Sequence, residues 1–413
     1  MRRRRLLRLL PVVPFGLLVA HVRDFGVDVP WWDEWQIVEL VDLDRRGLLR
    51  FSNLWSQHNE HRPVMPRLVM IGLARFSDWD TRWEMAASVL LAVALLAILV
   101  WALSASDGVT LFAAATVFSL GQWENWIVGW QIQILLSVAA AAFGFALIAW
   151  KPPRWNVLLL ALAGGAVALY SFANGALFFP IGVILLWRTR APRRAPILFG
   201  LGGLAITLPY FIGYTKPPAH PPLTLALSHV GEYILFCLTY LGNPMVQQRV
   251  ATPIVGGVGL LLAAEAGRRL RRRAAVDHRP ILFACALGAY ALLSGLLAGL
   301  GRLGIAWSAG AFAPRYVTIA GLFWLGLAGI WSTVLVDRPR IRVAAAAVAI
   351  AVVSVRSLQS RSELITFSHQ IAEGRQRLIS LRDEGLEVLH PDPRRIVREW
   401  RPLLQKHQLS AFR

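Results

Sequence analysis

Long apolar runs alternate with short basic clusters along this chain, and that alternation leaves few folds open to it. Uncharged runs of roughly 15 to 22 residues recur as far as residue 357, close to the ~20 residues a helix needs to cross a bilayer. Between the runs stand Arg2–Arg5 with Arg8, Lys151 with Arg154, Arg188–Arg194, Arg268–Arg273 with Arg279, and Arg338–Arg342. With 56% hydrophobic and 16% charged residues, the chain reads as an all-α polytopic membrane protein. The net charge of +19 does not make it a nucleic-acid binder. Of the 43 Lys and Arg, 20 lie in those clusters, each abutting a span, with no base-stacking aromatics interleaved. This is the distribution expected of cytoplasmic loops.

If every basic cluster is cytoplasmic, the chain between two clusters crosses an even number of times. The apolar stretches then give about 11 spans, near 6–22, 86–104, 109–120, 131–150, 156–170, 176–187, 196–214, 250–267, 280–300, 315–336 and 341–357. The first reads as an uncleaved span, since no small-x-small cleavage site follows it. Residues 109–150 form a hairpin tipped by Gln122-Trp123-Glu124-Asn125-Trp126, and residues 156–187 hold two short spans turning at Ser171–Gly175. Tyr233–Leu241, between Glu232 and Gly242-Asn243-Pro244, is a re-entrant or external helix near 229–243. The reading divides the chain into a transmembrane region, 1–357, with a large first extracytoplasmic loop, 21–85, and a small extracytoplasmic tail, 358–413. In the tail Leu364, Phe367, Ile371, Leu378 and Leu381 recur at helical spacing before a Pro391-Asp392-Pro393 stop, which predicts an amphipathic helix lying on the membrane or packing on external loops. Cys237 and Cys285 sit in apolar surroundings without CxxC spacing, so neither a zinc site nor a disulfide framework is indicated.

The first loop differs from everything around it. It holds 11 of the 24 acidic residues, and its Asp33-Glu34 pair is flanked by Trp31, Trp32 and Trp35. Topology brings four polar sets to the same side: Asp33, Glu34 and His58-Asn59-Glu60-His61-Arg62; Gln122, Glu124 and Asn125; Lys216 and His220 in a Pro-rich loop; and Arg302, Arg315 and Tyr316. Carboxylates, cations and aromatic faces at a membrane surface suit an anionic lipid phosphate bearing a sugar. A carboxylate takes a proton from an attacking hydroxyl while a cation stabilises the departing phosphate. Each element also has a plainer role. Asp33-Glu34 fits a solvated loop, the tryptophans an interfacial belt, Arg315 a snorkelling side chain and Glu124 a structural hydrogen bond, while His58 and His61 fit either a metal or hydrogen bonds.

A short first span, a large first outer loop opening on Trp31-Trp32-Asp33-Glu34-Trp35, paired short spans and a late outer Arg315-Tyr316 together resemble the GT-C superfamily of integral membrane glycosyltransferases. The resemblance covers residues 6 to 357. It implies an inverting transferase in a bacterial plasma (inner) membrane, with an extracytoplasmic active site. The donor would be a polyprenyl-phosphate-linked sugar and the acceptor a glycan, lipid or protein. It places the catalytic carboxylate at Asp33, with Glu34 as a positioning or metal-binding partner and Asp28 as the alternative base, because the pair lies farther from the first span than is usual in the family. It assigns the donor phosphate to Arg315 first, then Arg302, Lys216 and His220, and the sugar or acceptor to Trp32, Trp35, His58, Glu60, His61, Arg62, Gln122, Glu124, Asn125 and Tyr316. A divalent cation is an open question. The competing reading is a transporter or flippase of a lipid-linked saccharide. From residue 86 to 357 the acidic residues are Asp107, Glu124, Glu232, Glu265, Asp277 and Asp337, nearly all at span ends, which favours surface chemistry over a midplane pathway. A third reading, a ligase- or polymerase-like enzyme, would depend on outer Arg and His residues instead.

Overall fold

The computed structural model describes residues 10–218, 220–222, 224–272 and 277–413. The cluster Arg2–Arg5 with Arg8, the start of the first expected span, and Arg273 lie outside them. Every named element is a helix. Among the described residues six helices are long and apolar enough to cross a membrane: Arg82–Ala102, Gly129–Trp150, Arg194–Phe211, His278–Phe312, Pro314–Val334 and Pro339–Ile379. Other expected spans are shorter helices, such as Val12–Phe25, Asp107–Val117, Trp155–Leu169 and Phe178–Arg188.

Hydrogen bonds between helix ends fix which ends share a side. The Trp150 indole N–H donates to the Ala102 carbonyl (3.0 Å), joining the C-terminal ends of Arg82–Ala102 and Gly129–Trp150, which therefore run parallel. The Ser137 hydroxyl donates to the Ala168 carbonyl (2.9 Å), which returns Trp155–Leu169 to the Gly129 end. Arg82, Gly129 and Leu169 therefore mark one end of the bundle. Val230–Gly242 is a 13-residue helix packed against Ala251–Leu270. A Cβ on Gly242 would lie 1.9 Å from the Thr252 carbonyl oxygen and one on Gly256 2.0 Å from that of Leu238, so glycine permits this close crossing.

At the Arg82 end the first loop folds into the helices Trp32–Trp35, Gln36–Arg45, Phe51–Trp55 and Val64–Ser77. Of the two placements expected for the tail, the structure has the one on an external loop. Pro339–Ile379 is one continuous 41-residue helix, about 60 Å long at 1.5 Å per residue and so twice the ~30 Å hydrocarbon core. Its far half carries the tail onto the first loop. Trp35, Ile37, Val38, Met70 and Trp79 share a core with Ile371, Leu378, Leu389, Ile396, Trp400 and Leu404. Leu381, expected on the apolar face, lies past the end of the helix and is exposed.

Four of the loop's acidic residues, Asp28, Glu39, Asp42 and Asp80, pair with this basic tail. The Arg413 guanidinium binds Asp28 (2.9 Å) and Asp80 (2.8 Å), and His407 meets Asp42 at 2.8 Å. Arg395 binds Glu39 (2.9 Å), to which the Trp400 indole N–H also donates (2.8 Å). Within the loop Arg75 grips Asp44 and Arg45 grips Asp78. These carboxyls thus have a folding role.

Candidate functional site

The segment 58–61 closes on itself: His58 N–H donates to the His61 carbonyl and His61 N–H to that of His58, both at 2.8 Å, with Asn59 at φ +48°. This turn aims its two imidazoles at different carboxylates. His61 stacks on Phe172 at 4.4 Å, and its Nδ1 accepts from the Ala173 N–H (3.1 Å). Its Nε2 is therefore the protonated nitrogen and faces Glu60 Oε1 at 3.3 Å. His58 Nδ1 lies 2.8 Å from Gln36 Oε1, and its Nε2 lies 3.3 Å from Asp33 Oδ2. Gln36 is three residues beyond Asp33 and was not anticipated as a site residue.

Asp33 faces His58 with its side chain 43% exposed. Burial pushes its carboxyl up, but the hydrogen bond to His58 and the charges of His58, His61 and Arg315 outweigh this and hold it below the usual carboxylate range. The adjacent Glu34 has the opposite environment. It is 1% exposed; its Oε2 accepts from the Trp31 N–H (3.2 Å), and its Oε1 meets Glu84 beneath Gly129, where a Cβ would lie 2.4 Å from Glu34 Oε1 and 2.1 Å from Glu84 Oε2. Those two oxygens have no other partner among the described residues. Burial, then the charge of Glu84, raises the Glu34 carboxyl well above the ordinary range. Glu34 is thus turned into the fold against Glu84 and is not placed to partner Asp33 or to ligate a metal beside it. Asp28, the alternative base, is 5% exposed and accepts from Thr81, Ser410 and Arg413.

Two cation nodes accompany Asp33. In the first, Arg315 donates to Glu124 at 2.9 and 3.3 Å, Gln131 steadies Glu124 (3.0 Å), and the guanidinium lies 5.4 Å above the Tyr316 ring. In the second, Glu60 gathers Arg302 (2.5 Å), His61 (3.3 Å) and His220 (3.1 Å). Burial raises the Glu60 carboxyl, and the charges of His61 and Arg302 more than reverse this. Lys216 is exposed, its ammonium donating to the Pro221 carbonyl (2.8 Å). Among the described residues no three His, Cys, Asp or Glu converge as a metal site.

The remaining expected contacts divide by exposure. Trp32 is 46% exposed at φ +49° and rests on Trp31; the tail holds both, through Trp32 N–H to the Leu389 carbonyl (2.8 Å) and the Trp31 indole to the Val388 carbonyl (3.0 Å). Trp35 offers no sugar platform, being fully buried and stacked on Trp400 at 5.5 Å. Arg62 is a buried pin between loops, donating to the Tyr210, Trp55 and Ile212 carbonyls. Gln122 and Asn125 are likewise internal. Gln122 donates to the Val117 carbonyl (2.6 Å) and accepts from Thr318, while Asn125 donates to Thr318 (2.6 Å). Tyr316 is buried against Tyr240. The chain matches no protein-family model, no curated protein and no solved structure.

Proposed function

We propose that this chain is an inverting membrane glycosyltransferase that moves a sugar from a polyprenyl-phosphate donor to a glycan, lipid or protein acceptor. Its site faces the outside of a plasma membrane that the chain crosses about eleven times, a topology supported by the placement of the basic clusters. The observation that carries the reading is the environment of Asp33: a carboxyl kept ionised, open to solvent and within electrostatic reach of Arg315. Asp28, Glu34 and Glu124 are buried, and Glu60 is held by three basic side chains. In this reading Asp33 takes the proton of the acceptor hydroxyl as its oxygen attacks the anomeric carbon. The bond from that carbon to the phosphate oxygen breaks on the opposite face. Arg315, with Arg302 at the second node, neutralises the departing phosphate, and Trp32 offers a stacking face to a sugar ring. The test is transfer by purified protein from a polyprenyl-phosphate sugar, comparing wild type with Asp33→Asn. Undiminished transfer by the variant overturns the assignment.

A further inference from the structure

Four helices between residues 129 and 211 bring their ends together away from the candidate site. Ser137 meets Ala168, and a Cβ on Gly164 would lie 3.1 Å from the Ala140 carbonyl oxygen, so Gly129–Trp150 and Trp155–Leu169 run antiparallel. A Cβ on Gly144 would lie 2.5 Å from the Phe178 ring and one on Gly182 3.4 Å from Ile148, so Phe178–Arg188 runs parallel to Gly129–Trp150. Gly182 in turn faces Phe199 (2.6 Å) and Gly203 faces Phe179 (2.8 Å), which sends Arg194–Phe211 back the other way. Trp150, Trp155, Arg188 and Arg194 therefore share one end of the bundle, opposite Gly129, Leu169 and the first loop.

Six cations stand at this end: Lys151, Arg154, Arg188, Arg190, Arg193 and Arg194, all exposed. None pairs with a carboxylate among the described residues, and residues 125–231 contain no Asp or Glu that could supply one locally. Other basic stretches are compensated. Arg268 and Arg269 close on Glu265 (2.6 Å), and Arg279, which lies over the Trp150 ring at 4.8 Å, is paired with Asp277 (3.0 Å). Setting the orientation of the spans needs only the positive charges; leaving six of them without a counter-charge draws that charge from outside the chain. Beside the cations Trp155 is 62% and Trp187 75% exposed, and farther into their helices Leu160, Ile184 and Leu201 are exposed as well. Two of these helices thus present, in order, apolar side chains, an indole and an unpaired guanidinium.

We infer that this end of the bundle is a binding surface for anionic phospholipid, with headgroup phosphates on the six cations and acyl chains against the apolar side chains that follow. The order of groups selects the occupant. An acidic protein would meet the cations but not the exposed Leu160, Ile184 and Leu201, whereas a lipid of net negative charge meets both, and the indoles sit where headgroup gives way to chain. A zwitterionic headgroup brings its own cation and leaves the six charges unbalanced. The inference rests on the membrane placement of the chain and not on its being a transferase.

The test uses the full chain with Cys237 and Cys285 replaced by serine, bearing Ile184→Cys or Leu160→Cys labelled with a fluorophore, in nanodiscs of mixed phosphatidylglycerol and phosphatidylcholine. Bromine is carried on the acyl chains of one lipid or the other at equal mole fraction. Leu90→Cys, exposed on Arg82–Ala102, serves as the reference. Quenching at positions 184 and 160 should be several-fold stronger when the anionic lipid carries the bromine, and at position 90 it should not distinguish the two. Asn156→Asp with Pro192→Asp adds carboxylates beside Arg154 and Arg193 without removing the Lys and Arg that orient the spans, and should bring the two lipids toward equality at 184 and 160. Equal quenching by both lipids in the parent chain overturns the inference, as does a preference undiminished by the added carboxylates. Quenching by neither lipid at 184 and 160 also overturns it, since protein then covers the face. Two label positions keep the test decisive should one variant fail to insert, and transferase activity is not among its readouts.

Discussion

Asp33 and Glu34 are neighbours in the chain with opposite surroundings. Asp33 is part-exposed beside His58, and its carboxyl is held below the usual range; Glu34 looks inward at Glu84, beneath a glycine that leaves no other room, and its carboxyl is pushed well above that range. A third set of carboxyls, Asp28, Glu39, Asp42 and Asp80, binds the arginines and histidine of the tail. An acidic run of one texture in sequence is therefore divided three ways by what each side chain faces. The lesson is that carboxyl density marks a place where charge is managed, while exposure and partner decide whether a given group is free for chemistry.

The sharpest way to break the contrast is to neutralise each member alone. Asp33→Asn should lower sugar transfer by roughly 100- to 10,000-fold, the usual worth of a general base, with insertion and melting behaviour intact. Glu34→Gln keeps the hydrogen-bonding shape of a protonated carboxyl and should leave transfer within a few-fold of wild type. Equal losses in the two variants would erase the distinction between the exposed and the interior carboxyl.

The next effect concerns the latch between loop and tail. Trp400 is fully buried and stacked on Trp35, so Trp400→Ala should destabilise the loop–tail body by about 3–5 kcal/mol. Limited proteolysis should then cut the first loop and the tail together while the bundle stays protected. Release of the tail alone, with the loop still resistant, would show that the two do not fold as one body.

The apolar period made the bundle legible in sequence, and charge placement brought Asp33, His58, Glu60, Arg302 and Arg315 onto one side. The loop–tail union was not legible, because nothing local announces that Trp35 will meet Trp400 or that Asp28 will meet Arg413, hundreds of residues away. The tail's amphipathic period named the buried face of its helix but left two surfaces open to cover it, the membrane or the external loops. The burial of Trp35 and Glu34 was hidden for the same reason: their environment is supplied by distant segments. Gln36 was within reach, since a residue three beyond Asp33 in a helical turn lies on its side of the backbone.

A smaller effect separates Glu34 by its response to pH. Its folded-state pKa is raised above the unfolded value, by burial first and then by Glu84. The stability this contributes is fully present below the unfolded carboxylate range and is lost as pH rises through the folded pKa, at about 1.4 kcal/mol per pH unit over that window. The melting temperature of the wild type should fall from mildly acidic to mildly alkaline pH, and that of Glu34→Gln should fall less. Parallel curves would show that the pair does not share a proton.

The finest contrast lies between Asp33 and the imidazole that faces it. Burial alone would raise the Asp33 carboxyl; the His58 hydrogen bond is the largest influence holding it down. Transfer needs the ionised carboxylate, so in the wild type the rate should fall only at pH below the ordinary carboxylate range. His58→Leu removes the opposing influence while keeping a side chain beside Trp130, which the ring now meets edge-on at 5.0 Å. The acid limb of the rate profile should then move to higher pH, and the rate on the plateau should change less than in Asp33→Asn. Each unit of that movement corresponds to about 1.4 kcal/mol of differential stabilisation of the carboxylate. Gln36→Leu frees the far side of the imidazole and should move the limb in the same direction by a smaller amount. Superimposable acid limbs in wild type and His58→Leu, with the plateau lowered, would mean that His58 positions Asp33 without setting its charge.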